Sequence, residues 1–144
     1  MERYTIKQLS VFLENKKGEL IEITSILADE EISIKSLLLV DSTDFGILRL
    51  IVESTERAKT ALSAAGFTVR ENQVFAVKMK DRIGSFNTVV KKLSQMDINI
   101  SYTYAYKEQD VGVLIFKVGK KDFRNALQAL QEVEIEIIEK DFFA

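Results

Sequence analysis

Two short polar stretches hold the residue types from which a small-molecule site could be made. They are Glu14-Asn15-Lys16-Lys17-Gly18-Glu19-Leu20 and Lys80-Asp81-Arg82-Ile83-Gly84-Ser85-Phe86. Each stops an alternating apolar run, turns through Asn or Asp, passes a glycine and opens a helical pattern. A strand-to-helix turn leaves backbone N–H groups unpaired at the helix start, and the helix dipole adds partial positive charge there. Glycine either supplies φ > 0 or leaves room for a ligand to approach. The chemistry on offer is capture of a small carboxylate by main-chain amides, with a side-chain oxygen of Asn15 or Asp81 for an ammonium group. Asp81 would meet that ammonium as a charge, Asn15 only as a neutral acceptor. The same residues also make a plain corner with a capped turn, so both readings stand at this point.

Composition narrows the classes. The 144 residues suffice for one ordinary domain or two small ones, and 47% hydrophobic with 29% charged residues marks a globular chain. A net charge of −2 argues against nucleic acid or an anionic membrane as the main partner. The chain has no Cys, which removes disulfides, thiolate metal sites and cysteine nucleophiles, and no His, the commonest general base. Met1-Glu2-Arg3-Tyr4 does not open a signal peptide, and no run reaches membrane-spanning length. The expectation is a cytoplasmic protein that needs no cofactor and is not an enzyme.

Both polar stretches belong to a repeat. Gly84 follows Gly18 at an offset of 66 residues, and at that offset the segment from Leu9 to Val52 aligns without a gap with its later copy. Val11 falls on Val77, Asn15 on Asp81, Leu27 on Leu93, and Ile32 and Ile34 on Ile98 and Ile100. Asp44 and Gly46 fall on Asp110 and Gly112, and Leu48 on Leu114; a one-residue shift then brings Ala61-Leu62 onto Ala126-Leu127. Two copies are too few for a solenoid, so the chain reads as a duplicated domain, residues 1–70 and 71–144.

Within a copy the order is strand, helix, strand, strand, helix, strand. Leu9, Val11 and Leu13 alternate, as do Phe75, Val77 and Met79. Helical spacing follows at Leu20, Ile23 and Leu27 and at Phe86, Val89 and Leu93. Segments 32–41 and 98–107 read as second strands, 45–52 and 111–118 as third strands, with turns at 41–44 and 107–110 between them. Arg70-Glu71-Asn72-Gln73 is expected to turn directly into the second copy. The predicted class is therefore α+β: two ferredoxin-like βαββαβ units, each an antiparallel four-stranded sheet with both helices on one face.

The opposite sheet face carries a second expectation. With Val11, Leu48 and Leu50 toward the helices, simple alternation sends Phe12, Leu37, Leu39, Ile47 and Ile51 away from them, and Thr103, Ala105, Val113 and Ile115 likewise. That face would be largely apolar and would be covered by the other copy or by a second chain, which points to a homodimer. Tyr102, Tyr104 and Tyr106 share one face of one strand, either as an aromatic wall for a ligand or partner or as ordinary sheet packing.

The run from Val11 to Leu20, followed by a helix and Ile32-Ser33-Ile34, resembles the start of an ACT domain and is similar to the opening of the acetolactate synthase small subunit. Val77 to Phe86 with Ile98-Asn99-Ile100 resembles a second. The resemblance implies a tandem ACT protein without a catalytic domain, binding a free amino acid at the interface between ACT domains. It implies that Asn15 and Gly18, and Asp81 and Gly84, hold the ligand's polar end, with Glu19-Leu20 and Ser85-Phe86 completing each turn. It also implies an asparagine at the start of the second strand reaching across from a paired domain. That position is Asn99, beside Ile100, in the second copy and Ser33, beside Ile34, in the first. The turn 15–20 with Asn99 matches the pattern; the turn 81–86 with Ser33 departs from it, and both turns depart from it by having Lys17 or Ile83 where many members have proline.

The reading that joins these observations is an amino-acid-binding regulatory protein that modulates a partner enzyme of amino-acid metabolism. Three alternatives share the fold: an acylphosphatase-like hydrolase, which wants an arginine in a phosphate-binding turn as Arg82 is; an RNA-binding sheet, which wants exposed aromatics on central strands and a basic surface; and a purely structural oligomerisation module.

Overall fold

A computed structural model describes residues 2–14, 16–41, 44–108, 110–133 and 135–144, with only the backbone of Asp41. Asn15, and Ser42, Thr43 and Gln109 of the two expected turns, lie outside the described residues. Eleven strands and helices run in chain order among these: β1 Ile6–Glu14, α1 Glu19–Asp29, β2 Ile34–Asp41, β3 Phe45–Val52, α2 Thr55–Ala64, β4 Thr68–Met79, α3 Ser85–Gln95, β5 Ile100–Glu108, β6 Val111–Val118, α4 Phe123–Glu132 and β7 Ile137–Ile138. The class is α+β and antiparallel, with two ferredoxin-like units in tandem.

The chain divides into two compact units. One comprises Lys7–Asn72 with Phe143–Ala144; the other comprises Met1–Ile6 with Gln73–Phe142. In the first, the sheet order is β2-β3-β1 followed by the start of β4; in the second it is β5-β6-β4 with β7 on the far side of β4. Each order is that of a split βαβ fold, in which the first and third strands lie at the centre. The segment Arg70–Gln73 does not turn as expected. It lies inside β4, because nothing from Thr68 to Met79 breaks an extended backbone: the strand contains neither Gly nor Pro.

Each unit has its own core between sheet and helices. In the first, Leu9, Val11 and Leu13 of β1 and Leu48, Leu50 and Val52 of β3 pack on Ile23 and Leu27 of α1 and Ala58 and Leu62 of α2. In the second, Phe75 and Val77, Leu114, Phe116 and Val118, Val89 and Leu93, and Ala126, Leu127 and Leu130 do the same. Phe75 and Phe116 stack at 5.5 Å, Phe123 meets Phe75 edge-on at 5.7 Å, and Phe86 stacks on Phe116 at 6.1 Å. The second core is thus built on stacked and edge-on rings, whereas the buried residues of the first are aliphatic, with Phe67 packed against them.

The far sheet faces differ from expectation at β2 and β5. Cross-strand partners share a face, and Leu37 and Leu39 pair with Leu50 and Leu48, so both lie on the helix side. Thr103 and Ala105 likewise pair with Phe116 and Leu114. Each strand contains a bulge, between Ile34 and Ser36 and between Ile100 and Tyr102, and one extra residue flips everything after it to the other face. The side chains that do face away include Phe12, Ile47 and Ile51 in the first unit, and Val113 and Ile115 with Tyr102, Tyr104 and Tyr106 in the second. Burial holds the Tyr106 phenol above its ordinary range, with help from the Glu108 carboxylate, so it stays neutral.

The far face of the first unit is also less apolar than expected. Gln8, Ser10 and Ser36 are buried there. Arg49 Nη1 donates to Ser10 Oγ at 3.0 Å, and Ser10 Oγ donates to Asn72 Oδ1 at 2.5 Å. Leu37 and Leu39, on the helix side but at the sheet's edge, are 52% and 45% exposed.

The register has a direct consequence for stability. Leu50→Ala, in the core, should destabilise by about 2–5 kcal/mol in urea unfolding, whereas Leu39→Ala, on the same face but at the exposed edge, should cost under about 1 kcal/mol. Equal costs would show that the edge of β2 is packed as tightly as the centre of the sheet.

Candidate functional site

The first corner is built by Gly18. It takes φ 97°, ψ −17°, the left-handed region, immediately before α1 begins at Glu19. Among the described residues, its chain neighbours aside, no heavy atom lies within 4 Å of where its Cβ would stand. The left-handed conformation is by itself a reason for glycine here. Lys16 N donates to Glu14 O at 2.8 Å, Glu22 N donates to Gly18 O at 3.1 Å, and no side chain caps the helix. The first amides of α1 have no intrahelical acceptor, as at any helix start.

Around this corner the charge is acidic. A crevice of about 420 Å³ is lined by Phe12, Leu13, Glu14, Glu19, Glu22 and Phe45, with Ala65 to Thr68 on its other side. Glu19 folds back across the turn, its Oε1 accepting from Glu14 N at 3.1 Å. Lys16 Nζ lies 3.0 Å from Glu14 Oε2, and that hydrogen-bonded carboxylate raises the Lys16 ammonium above its ordinary value.

The second corner has the same backbone and different side chains. Gly84 takes φ 89°, ψ −2° before α3, again with nothing within 4 Å of a built Cβ. Arg82 N donates to Lys80 O at 2.9 Å, Ser85 N to Arg82 O at 3.3 Å and Thr88 N to Gly84 O at 2.9 Å. A crevice of about 540 Å³ opens beside it, lined by Lys78, Lys80, Arg82, Gly84, Ser85, Asn87 and Thr88, with Val133, Ile135 and Glu136 opposite. Lys78 Nζ lies 3.4 Å from Glu136 Oε2. Thr88 Oγ1 donates to Gly84 O at 3.0 Å. Ser85 Oγ is buried and finds no hydrogen-bond partner among the described residues.

The remaining expected site residues lie at the opposite end of each first helix. Ser33 is exposed just before β2; its N–H donates to Glu53 Oε1 at 3.0 Å and its carbonyl accepts from Glu53 N at 3.1 Å. Asn99 is exposed just before β5. Ile34 and Ile100 are half-buried against the two cores. An 11-residue helix, about 16 Å long, separates Gly18 from Ser33 and Gly84 from Asn99 within a unit. Neither unit alone brings a glycine corner and a strand-start residue together. Asp81 is exposed at the second corner, while Leu20 and Phe86 are partly exposed on the first turns of α1 and α3. Asn15, the first corner's expected polar contact, is outside the described residues.

Sequence reasoning gave no role to Lys78, Lys80, Glu14, Glu22 or Thr88. The repeat offset could have found them, since it sets Glu14, Glu19 and Glu22 against Lys80, Ser85 and Thr88. Among the described residues no cluster of acidic side chains could hold a metal ion, and no helix is long and apolar enough to cross a membrane.

A family profile described as an ACT domain pair matches residues 4–143. No curated protein matches the chain in sequence. Among solved structures, a protein from Bacteroides thetaiotaomicron is 31% identical with a TM-score of 0.89, covering 97% of this chain and 96% of its own. The ligand-free regulatory subunit of aspartate kinase from Thermus thermophilus shares the fold at 12% identity and a TM-score of 0.64, covering 90% of this chain and 92% of its own. Aspartokinase III from E. coli, solved with aspartate and ADP, shares it at 22% identity and a TM-score of 0.57, covering 89% of this chain and 31% of that one.

The glycine geometry sets an expected outcome at both corners. Gly18→Ala and Gly84→Ala should each cost about 1–2 kcal/mol in chemical denaturation, the left-handed penalty alone, because a methyl group meets nothing at either place. A loss well above that at either position would mean the methyl meets an obstruction.

Proposed function

The chain belongs to the ACT domain pair family, and we propose that it is a regulatory module that binds a free amino acid and so modulates a partner enzyme of amino-acid metabolism. The observation that carries this reading is the duplicated corner: a left-handed glycine, an uncapped helix start and an open crevice beside it, in both units. An α-amino acid presents a carboxylate that suits helix-start amides and an ammonium that suits a nearby side-chain oxygen. The crevices are of the size that small ligands occupy.

The ligand's polar end rests on Gly18-Glu19-Leu20 or Gly84-Ser85-Phe86, with Asn15 or Asp81 at the ammonium. Where ACT units pair, as in a homodimer, the strand starts Ser33-Ile34 and Asn99-Ile100 supply the facing wall. Binding rather than catalysis is the reading because, among the described residues, neither crevice joins a nucleophile to a general base; Arg82 lies there with Lys78 and Lys80 as a source of positive charge. Regulation follows if the ligand favours one of two states of the partner complex, and the effect must then be reciprocal.

Thermal unfolding in the presence of each of the twenty amino acids tests this. A ligand that binds only the folded chain stabilises it by about 2.7 kcal/mol at a hundred times its Kd, a rise of several degrees in Tm. At least one amino acid should give such a shift, and flat curves at millimolar concentration would remove the reading. If the first corner is the site, Asn99→Ala should weaken binding more than Ser33→Ala, by about tenfold for one lost hydrogen bond to a charged group; the reverse order would assign binding to the second corner, which the pattern pairs with Ser33.

A further inference from the structure

The two corners share a backbone but offer a ligand opposite charge. At the first, Glu14, Glu19 and Glu22 line the crevice; Lys16 is bridged to Glu14 at 3.0 Å, and Lys17, exposed beside Gly18, is not among the lining residues. Glu19 puts its own carboxylate across the turn, where it accepts from Glu14 N at 3.1 Å. A ligand carboxylate arriving there meets three like charges, one of them already occupying the turn.

At the second corner those three positions are Lys80, Ser85 and Thr88. One ammonium and two hydroxyls replace three carboxylates. Arg82 and Lys78 add two more cations to the lining, and Glu136, the one carboxylate lining it among the described residues, is matched by Lys78 at 3.4 Å. Among the described residues Lys80 and Arg82 have no ion-pair partner in the crevice. Ser85 Oγ, the group that stands where Glu19 stands at the first corner, is buried without a partner, so a donor is left to be satisfied in the place where the first unit holds its own carboxylate.

We infer that the crevice at Gly84 is the single ligand site of the chain and that it takes a small molecule with two carboxylates, an acidic amino acid, while the corner at Gly18 is closed to carboxylates by its own glutamates. This rests on the amino-acid reading above and sharpens it. One carboxylate lies on the α3 amides and Ser85 Oγ; Lys80 and Arg82 meet the other. Asp81, at the same corner, is the charged group available to the α-ammonium. The residue pattern of the resemblance favours the first corner, through Asn15 with Asn99; the electrostatics favour the second.

Isothermal titration calorimetry of the full chain decides it, with L-aspartate, L-glutamate, their amides L-asparagine and L-glutamine, L-lysine and succinate as probes. Aspartate or glutamate should bind at one per chain, at least tenfold more tightly than its own amide. Arg82→Glu should lower that affinity at least tenfold, and Arg82→Gln by a smaller factor. The triple change Glu14→Lys, Glu19→Ser, Glu22→Thr should raise the stoichiometry from one to two. All four positions are at least partly exposed, and an unchanged melting curve without ligand marks a variant as folded. Tight binding of neutral or basic amino acids with none of the acidic ones would overturn this inference and leave the amino-acid reading standing. Succinate binding as tightly as aspartate would uphold the charge assignment and overturn the amino-acid reading. Two aspartates per wild-type chain, or an Arg82→Glu variant that binds as before, would sink the single-site assignment.

Discussion

At the β1–α1 and β4–α3 corners the chain turns from strand to helix through one residue in left-handed backbone space, and the proposed site depends on that passage. Gly18 and Gly84 make it at φ 97° and 89°. The corner aims the first helical amides outward with no side chain to cap them. Behind it the helix is anchored by apolar residues that meet the sheet: Ile23 and Leu27 against Val11 and Leu48, Val89 and Leu93 against Val77 and Leu114. The other end of each helix is closed by a second left-handed residue, Glu31 or Asp97, after which Ile32 N bonds Leu27 O at 2.9 Å and Ile98 N bonds Leu93 O at 3.0 Å. That closure is of the Schellman kind and satisfies carbonyls at the helix end. Each helix is pinned at both ends, so its amides are held in place before any ligand arrives, which lowers the entropic cost of binding.

The duplication kept this frame and changed the charges around it, and magnitudes show which matters more. A helix terminus contributes about 0.3–1 kcal/mol toward a nearby anion at an exposed site. Two unit charges 4 Å apart interact by about 1 kcal/mol in water and about 4 kcal/mol at the effective dielectric of a protein surface. Even one flanking carboxylate can therefore offset the dipole, and Glu14, Glu19 and Glu22 surround the first corner with three. Identical backbone geometry does not confer identical binding. The dipole supplies a direction, and the side chains beside it decide the sign.

Much of this was legible in the sequence because it depends on local rules. The βαββαβ order follows from hydrophobic period, the corners from glycine after a polar turn, and the two cores from Val11, Leu48, Val77 and Leu114 at matched positions. The faces of β2 and β5 were not legible. Alternation counted from Ile34 and Ile100 sends Leu37, Leu39, Thr103 and Ala105 away from the helices, and it holds only if no residue is inserted. The bulges after Ile34 and Ile100 insert one, and neither carries the glycine that would announce it. The passage of β4 through Arg70–Gln73 was missed for a related reason: polar residues there suggested a turn, although none of them forbids extension. The contrast between the crevices was written in the sequence, at Glu14/Lys80, Glu19/Ser85 and Glu22/Thr88, but it has no meaning until those positions are seen to line a cavity.

Rigidity of the corner also limits how such a module can signal. A ligand shifts an equilibrium only through unequal affinity for two states. Left-handed glycines and closed helix ends restrain the amides between them, so on the proposed reading those amides would meet a ligand alike in either state. What can differ is the set of side chains around them. In the second unit these are long and surface-borne: Lys80 and Arg82 are exposed, and Ile83 stands wholly in solvent. Gathering such chains onto a ligand carries an entropic cost that a partner surface could share by holding them first. On the proposed reading the amides would give affinity and the exposed cations the difference between states, so the two tasks would fall to different residues of one turn.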